Sequence, residues 1–192
     1  FYGYGGIYRS VELHQLPECS IERARIKTLD ISTGRIAVDI ELSGKIPDKF
    51  NFELNFDKGG KKSFSKSTDN GHVRFEINVP SFKLWSPEKP CLHTLTVTTE
   101  NDSITERFGI RTVTTEKGQI KLNGRPVRLL GYCRHESHPE FGPAQPLGLL
   151  IEDLQYLKDL GCNFVRGTHY PMDERFLDLC DQLGIMIWEE SL

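Results

Sequence analysis

Three features that would assign a chain quickly are missing from these 192 residues: paired cysteines, a long apolar run and a surplus of one charge. The five cysteines, Cys19, Cys91, Cys133, Cys162 and Cys180, are odd in number, widely spaced and without a C-x-x-C, which fits neither a disulfide framework nor a zinc ribbon. Buried free thiols are the expected state; a Cys19–Cys91 bridge across a sandwich stays open. No apolar stretch approaches the length of a membrane-spanning helix, and the residues from Phe1 to Gly6 lack the basic and apolar segments of a secretory signal. Lys and Arg number 24 against 27 Asp and Glu, a net charge of −3. The basic residues are scattered, so neither nucleic acid nor a membrane is an expected partner. The compartment is left open. Asn101-Asp-Ser103 matches a glycosylation sequon, which has meaning only in a secreted eukaryotic protein.

What is present is ordinary globular composition, 38% hydrophobic and 27% charged, in a length that suits one large or two small domains. Ile7 to Leu13 alternates apolar and polar residues like a strand. Between residues 14 and 112 the same alternation recurs in 21–27, 35–42, 50–56, 72–79, 92–98 and 103–108. Ser32-Thr-Gly34, Asp57-Lys-Gly-Gly60, Asp69-Asn-Gly71 and Asn101-Asp102 punctuate these segments. Six or seven short strands with one buried face each predict an antiparallel two-sheet β-sandwich of immunoglobulin-like size. This span carries no paired acids, metal spacing or phosphate loop.

From Val113 the period changes. Two strand-like pieces flank an Asn123-Gly124 turn, a strong hairpin signal. Leu147, Leu150, Ile151, Leu154, Leu157 and Leu160 then recur at helical spacing, and Gly161 is placed to end that helix. A strand at 163–167 follows. Asp173 caps a second helix with Phe176, Leu177, Cys180 and Leu183 on its apolar face and Gly184 as its stop. Ile185-Met-Ile-Trp188 reads as a third, fully apolar strand, with Trp188 in the core. The order predicts a parallel sheet buried on both faces, the opening of an α/β domain. A bare parallel edge behind Trp188, and a first residue other than Met, lead to the expectation of an internal piece of a longer protein with further βα units downstream.

Polar residues gather where these strands end. Arg134, His135, Glu136 and His138 follow the first, and Arg166, His169 and Tyr170 follow the second; in a βα-barrel, neighbouring strand ends converge on one mouth. A shared polar ligand site and structural ion pairing are both open readings. His135-Glu-Ser-His138 lacks the H-E-x-x-H spacing of a helical zinc site. Arg134 and Arg166 would make the mouth electropositive, which disfavours a cation and suits hydroxyls or carboxylates. Glu189 and Glu190 are successive, so only one can face the mouth, and they cannot be the paired carboxylates of glycoside hydrolysis. Whether Glu190 serves a site or the fold is open.

A set of landmarks in order resembles glycoside hydrolase family 2, which contains the β-galactosidases and β-glucuronidases. They are Gly6-Ile-Tyr-Arg9, Leu84-Trp-Ser-Pro87 with Pro90, Phe108-Gly-Ile-Arg111, Leu122-Asn-Gly124, Arg134-His-Glu136 with His138-Pro139, Val165-Arg166 with His169-Tyr-Pro171, and Leu179-Cys-Asp181 with Gly184. The resemblance implies the last strand of a jelly-roll sugar-binding domain over 1–13, an immunoglobulin-like sandwich over 14–112, and the first βα units of a (β/α)8 TIM barrel over 113–192. It further implies that His135, Arg166 and His169 line the subsite for the non-reducing sugar. His169 would hydrogen-bond sugar hydroxyls, and Arg166 would lie near the nucleophile carboxylate. The acid/base and nucleophile glutamates would lie beyond Leu192, leaving this piece inactive. Cys133 stands where the family commonly has Asn, and His93 where it has Tyr. The expected activity of the parent protein is a retaining β-glycosidase, a β-galactosidase first and a β-glucuronidase second, acting on carbohydrate without a cofactor. A homo-oligomeric parent is compatible with this. The rivals are a non-catalytic carbohydrate- or protein-binding sandwich and, third, a metal-dependent hydrolase.

Overall fold

The computed structural model describes residues 3–191; Phe1, Tyr2 and Leu192, with the parts of the terminal expectations that fall on them, lie outside the described residues. Nine strands come first: β1 Cys19–Asp30, β2 Arg35–Gly44, β3 Lys49–Phe56, β4 Gly60–Ser67, β5 His72–Asn78, β6 Trp85–Ser86, β7 Lys89–Pro90, β8 His93–Thr98 and β9 Ser103–Phe108. They build one sheet in the order β1-β2-β5 and another in the order β4-β3-β8-β9, with β6 and β7 as a short ribbon. All pairings between these strands are antiparallel, and one isolated parallel bridge joins Leu84 to Ile110. Alternation makes the core: Ile36, Val38, Ile40 and Leu42 of β2 and Phe50, Phe52, Leu54 and Phe56 of β3 are all buried in one cluster.

Six of the seven longer strands are those the alternation predicts; β4 is not. Its only large apolar residue is Phe64, whose ring stacks on its register partner Phe52 at 5.6 Å. The remaining positions include Lys61, Lys62 and Lys66, side chains that suit an edge strand and discourage further pairing.

The second part contains β10 Val113–Glu116, β11 Gln119–Leu122, β12 Arg125–Pro126, β13 Gly131–Arg134, α1 Leu147–Asp159, β14 Phe164–Gly167, α2 Glu174–Leu183 and β15 Met186–Trp188. β10, β11 and β12 form an antiparallel meander. Its two turns, Lys117-Gly118 and Asn123-Gly124, have positive φ at both residues, as tight hairpins require. The second piece of the expected hairpin is divided: only Arg125–Pro126 pairs with β11, and the parallel strand begins at Gly131. Asn163 supports the crossing between them, its Oδ1 accepting from the Leu130 N–H at 2.8 Å and its Nδ2 donating to the Arg128 carbonyl at 3.0 Å.

β13, β14 and β15 are parallel and adjacent in that order, with Cys133, Arg166 and Trp188 in register. α1 and α2 enclose a cluster of Leu150, Leu154, Val165, Met172, Phe176, Cys180 and Ile185. The Asp173 carboxylate caps α2 by accepting from the Arg175 N–H at 2.9 Å, and Gly184 ends it at φ 75°. A Cβ on Gly184 would lie 2.3 Å from the Pro87 carbonyl oxygen of the sandwich, so both conformation and contact require glycine there.

Three expectations are corrected. Ile7–Leu13 is not a strand; among the described residues it has no strand beside it with which to exchange hydrogen bonds, and Leu13 is fully exposed. Among the described residues only one face of the parallel sheet is covered, because successive right-handed crossovers lay both helices on one side. Trp188 therefore is 61% exposed rather than in the core. Finally, the cysteines are all free, with Cys19 and Cys91 unbridged, but Cys133 is exposed where buried thiols were expected.

The two parts meet at Trp85, which is wholly buried. Its indole N–H donates to the Asp181 carbonyl in α2 at 2.8 Å, the Arg111 guanidinium lies 4.5 Å from its ring centroid, and the Asn123 amide donates to its backbone carbonyl at 2.9 Å. Trp85→Ala is expected to destabilise the chain by about 3–5 kcal/mol, with Trp85→Phe intermediate because it fills volume but leaves the Asp181 carbonyl without its donor; urea unfolding measures both. Hydrogen bonds from Arg175 hold the Asp173 carboxyl below the ordinary carboxylate range. Its contribution is therefore present above the ordinary value and lost as pH falls through the lowered one. Asp173→Ala should cost about 0.5–2 kcal/mol at pH 7, and the gap from the parent chain should close in acid unfolding curves as the parent's carboxylate protonates.

Candidate functional site

Strand alternation divides the first polar cluster. Cys133 shares the open face of the sheet with Arg166 and Trp188, so Arg134 points to the helices. The Arg134 Nη2 donates to Asp153 at 2.8 Å and to Gln145 at 2.5 Å, and its guanidinium lies 4.3 Å from the centroid of the Phe176 ring. Its expected place in the mouth is thus corrected. His135, one residue on, meets His169 from the β14 loop edge-to-face, with ring centroids 5.2 Å apart. His138 packs on Phe141 at 5.1 Å instead. The Thr168–His169 peptide is cis.

Arg166 and His169 converge on Glu190. Glu190 Oε1 accepts from Arg166 Nε at 2.8 Å and lies 2.6 Å from its Nη2 as an ion pair, and Oε2 lies 3.1 Å from His169 Nδ1. The Arg166 hydrogen bonds, with a smaller contribution from His169, hold the Glu190 carboxyl below its ordinary range. Arg166 in turn is raised by Glu190. Glu190 is an anion at neutral pH, and the pair balances its own charge. Since Arg134 is directed to Asp153, the mouth is not electropositive as the sequence implied. Glu189 turns the other way and accepts from the Met172 N–H at 3.1 Å, as successive strand-end residues should. The sequence did hold a signal for Glu190: it stands two residues after Trp188, the register partner of Arg166.

Behind His135 lies a buried carboxylate that the sequence places in the polar cluster without revealing its burial or its partners. Glu136 is 1% exposed. Its Oε1 accepts from the Asp173 N–H at 2.6 Å, and its Oε2 is paired with Arg9. Its own N–H donates to the Tyr170 hydroxyl at 2.9 Å. Burial raises the Tyr170 phenol. Arg9 also donates to the Pro143 carbonyl at 3.4 Å and lies 3.8 Å from Asp173. No local pattern reveals this network, because its partners are 127 and 37 residues from Glu136. A groove of about 970 Å³ between Tyr4, Tyr8, Arg9, Tyr170 and Asp173 borders the network. Cys133, His135, Arg166 and Glu190 stand outside that groove on an open surface, where the Arg166 and His169 side chains are 44% and 50% exposed.

Two imidazoles, a guanidinium and a carboxylate on an open face can exchange hydrogen bonds with a polyhydroxylated ligand; their summed charge selects against none. The model for glycosyl hydrolases family 2 matches residues 19–111, and that for the TIM barrel domain of glycosyl hydrolases family 2 matches 113–192. A β-galactosidase of Kluyveromyces lactis is 30% identical over 97% of this chain and 21% of its own length. A β-glucuronidase of Mus musculus is 32% identical over 99% of this chain and 30% of its own. Among solved structures, a GH2 β-galacturonidase from Eisenbergiella tayi bound to galacturonate superposes with a TM-score of 0.79 at 33% identity, covering 92% of this chain and 33% of that one. The chain thus spans about a fifth to a third of the length of these relatives. With both parts of the chain matched in the family's own order, it belongs to glycoside hydrolase family 2.

Proposed function

We propose that this chain supplies part of the sugar-binding subsite of a retaining β-glycosidase, with His135, Arg166 and His169 lining it. The observation that carries this reading is the convergence of Arg166 and His169 on Glu190 beside His135 at adjacent parallel strand ends. In this reading 1–13 belongs to a preceding sugar-binding domain, 14–112 is the immunoglobulin-like support, and 113–192 opens a (β/α)8 barrel. His135 and His169 hydrogen-bond hydroxyls of the non-reducing sugar. Arg166, oriented by Glu190, keeps its guanidinium in the plane of the subsite floor, beside the carboxylate that attacks the anomeric carbon. A second carboxylic acid protonates the leaving oxygen and then activates the water. Retention requires two carboxyl groups roughly 5 Å apart across the sugar, and Glu189 and Glu190 diverge to opposite sides of the strand. The reacting pair is therefore assigned to other barrel strands. A terminal β-galactoside is the first substrate class, because the balanced Arg166–Glu190 pair gives a neutral sugar no charge to oppose. A β-glucuronide is the second, and the mouse relative supports testing it.

Residues 1–192 alone should release no chromophore from aryl β-galactosides or aryl β-glucuronides; turnover above a heat-killed control would overturn the assignment of the reacting pair. In the full-length protein, His169→Ala should lower kcat/KM on the preferred aryl glycoside by roughly tenfold to a hundredfold, and a variant as active as the parent would remove His169 from the subsite. The carboxyl carbon of Glu190, followed by NMR, should titrate below an ordinary glutamate and return toward it in Arg166→Gln. The Arg166–Glu190 interaction is accordingly present above the ordinary glutamate value and lost as pH falls through the lowered one.

A further inference from the structure

Glu136 has a placement that burial of a charge rarely tolerates without a use. It is 1% exposed, and its two carboxylate oxygens answer to two different segments: the Asp173 N–H at the start of α2, and the Arg9 guanidinium from the stretch before the sandwich. The Tyr170 hydroxyl closes the arrangement by accepting from the Glu136 N–H at 2.9 Å. The segment carrying His135 and the loop carrying His169 are thus tied together twice, immediately behind the point where their rings meet at 5.2 Å. An ionised group in a nearly water-free position holds its partners in one geometry, because leaving any of them costs the desolvation of that charge without compensation.

We infer that Glu136 is a positioning residue for the sugar subsite, and that Arg9 makes the spacing of His135 and His169 depend on the segment preceding the sandwich. The inference rests on the reading that these two histidines hold the sugar. Glu136 itself touches no substrate: its side chain is directed to Arg9 and Asp173 and away from the open face. Its action is to remove freedom from the two loops, so that the imidazoles stand where the sugar hydroxyls require them before binding. Groups misplaced by as little as about 1 Å lose much of their effect on the bound state, so releasing Glu136 should show in sugar binding as well as in turnover. A purely structural role would instead reduce the number of folded, active molecules and leave KM where it was.

The experiment uses the full-length protein with its preferred aryl β-glycoside, each variant normalised by active-site titration. Glu136→Gln keeps the shape of the side chain and removes its charge; Arg9→Lys keeps the charge and removes the planar fork. Both should raise KM on the order of tenfold, with Arg9→Lys the milder. The double variant should be no worse than Glu136→Gln, since the two residues act through one contact. His169→Ala serves as the reference for the subsite. If His169→Ala raises KM while Glu136→Gln and Arg9→Lys leave it at the parent value, the positioning role is overturned and the subsite stands. Additive effects in the double variant would equally overturn the coupling to Arg9. If His169→Ala itself leaves kcat/KM at the parent value, the subsite reading fails first. Should Glu136→Gln not fold, Arg9→Lys decides alone, with an unchanged KM counting against the proposal.

Discussion

A β-strand offers each side chain to only one face of its sheet, and in β13, β14 and β15 this constraint sorts every polar residue near the mouth. Cys133 and Arg134 are neighbours in sequence and opposites in space, the first beside Arg166 and the second against Asp153 and Phe176. Glu189 and Glu190 separate in the same way, toward Met172 and toward Arg166. Both crossovers place their helices on one side, so the opposite side keeps its polar residues accessible. The face that builds the core and the open face that carries Arg166 are therefore fixed by one register, Cys133 with Arg166 with Trp188. Shifting that register by one residue would exchange the contents of the two faces.

What could be read from the sequence follows from how local each cause is. The periods of β2 and β3, the Asp173 cap and the Gly184 stop are set by residues within one element, and all of them appear in the structure. Strand ends of a parallel sheet converge, which made legible the two polar clusters that contain His135 and His169; their selection from those clusters came from the resemblance to the family. β4 was not legible: its place is set by pairing with β3, and its own composition carries one apolar residue of any size, Phe64. Trp188 was misread as core because apolarity does not say which face a strand shows to the helices. Glu136 lies furthest from reach, since nothing near it in sequence foretells Arg9 or Asp173.

The sandwich does more than precede the α/β part. α2 carries Asp178 and Asp181 toward its C-terminal end and no basic residue in its last turn, an arrangement that the helix dipole opposes. Arg107 and Arg111, both from the sandwich, lie 2.9 Å from Asp178 and 3.8 Å from Asp181. Burial raises the Asp181 carboxyl, with Arg111 opposing that rise. The cations that α2 lacks are thus delivered across the junction, next to the Trp85 indole that donates to the Asp181 carbonyl. Holding α2 from behind also holds its N-cap residue, Asp173, whose N–H reaches Glu136. The sandwich and the Glu136 network are linked through the length of one helix.

The trio of Arg166, Glu190 and His169 is better explained by what it orients than by what it stabilises. Its Arg and His side chains are about half exposed, and ion pairs in such positions are screened by solvent and add little to folding. Glu190 nevertheless holds both partners at once, Oε1 accepting from Arg166 Nε and Oε2 lying against His169 Nδ1, so one carboxylate fixes the two side chains relative to each other. The opposite face of the sheet already has its core, so the arrangement is not needed to build one. With the Arg166 charge balanced by Glu190, a ligand on this face meets oriented hydrogen-bonding groups rather than a net charge.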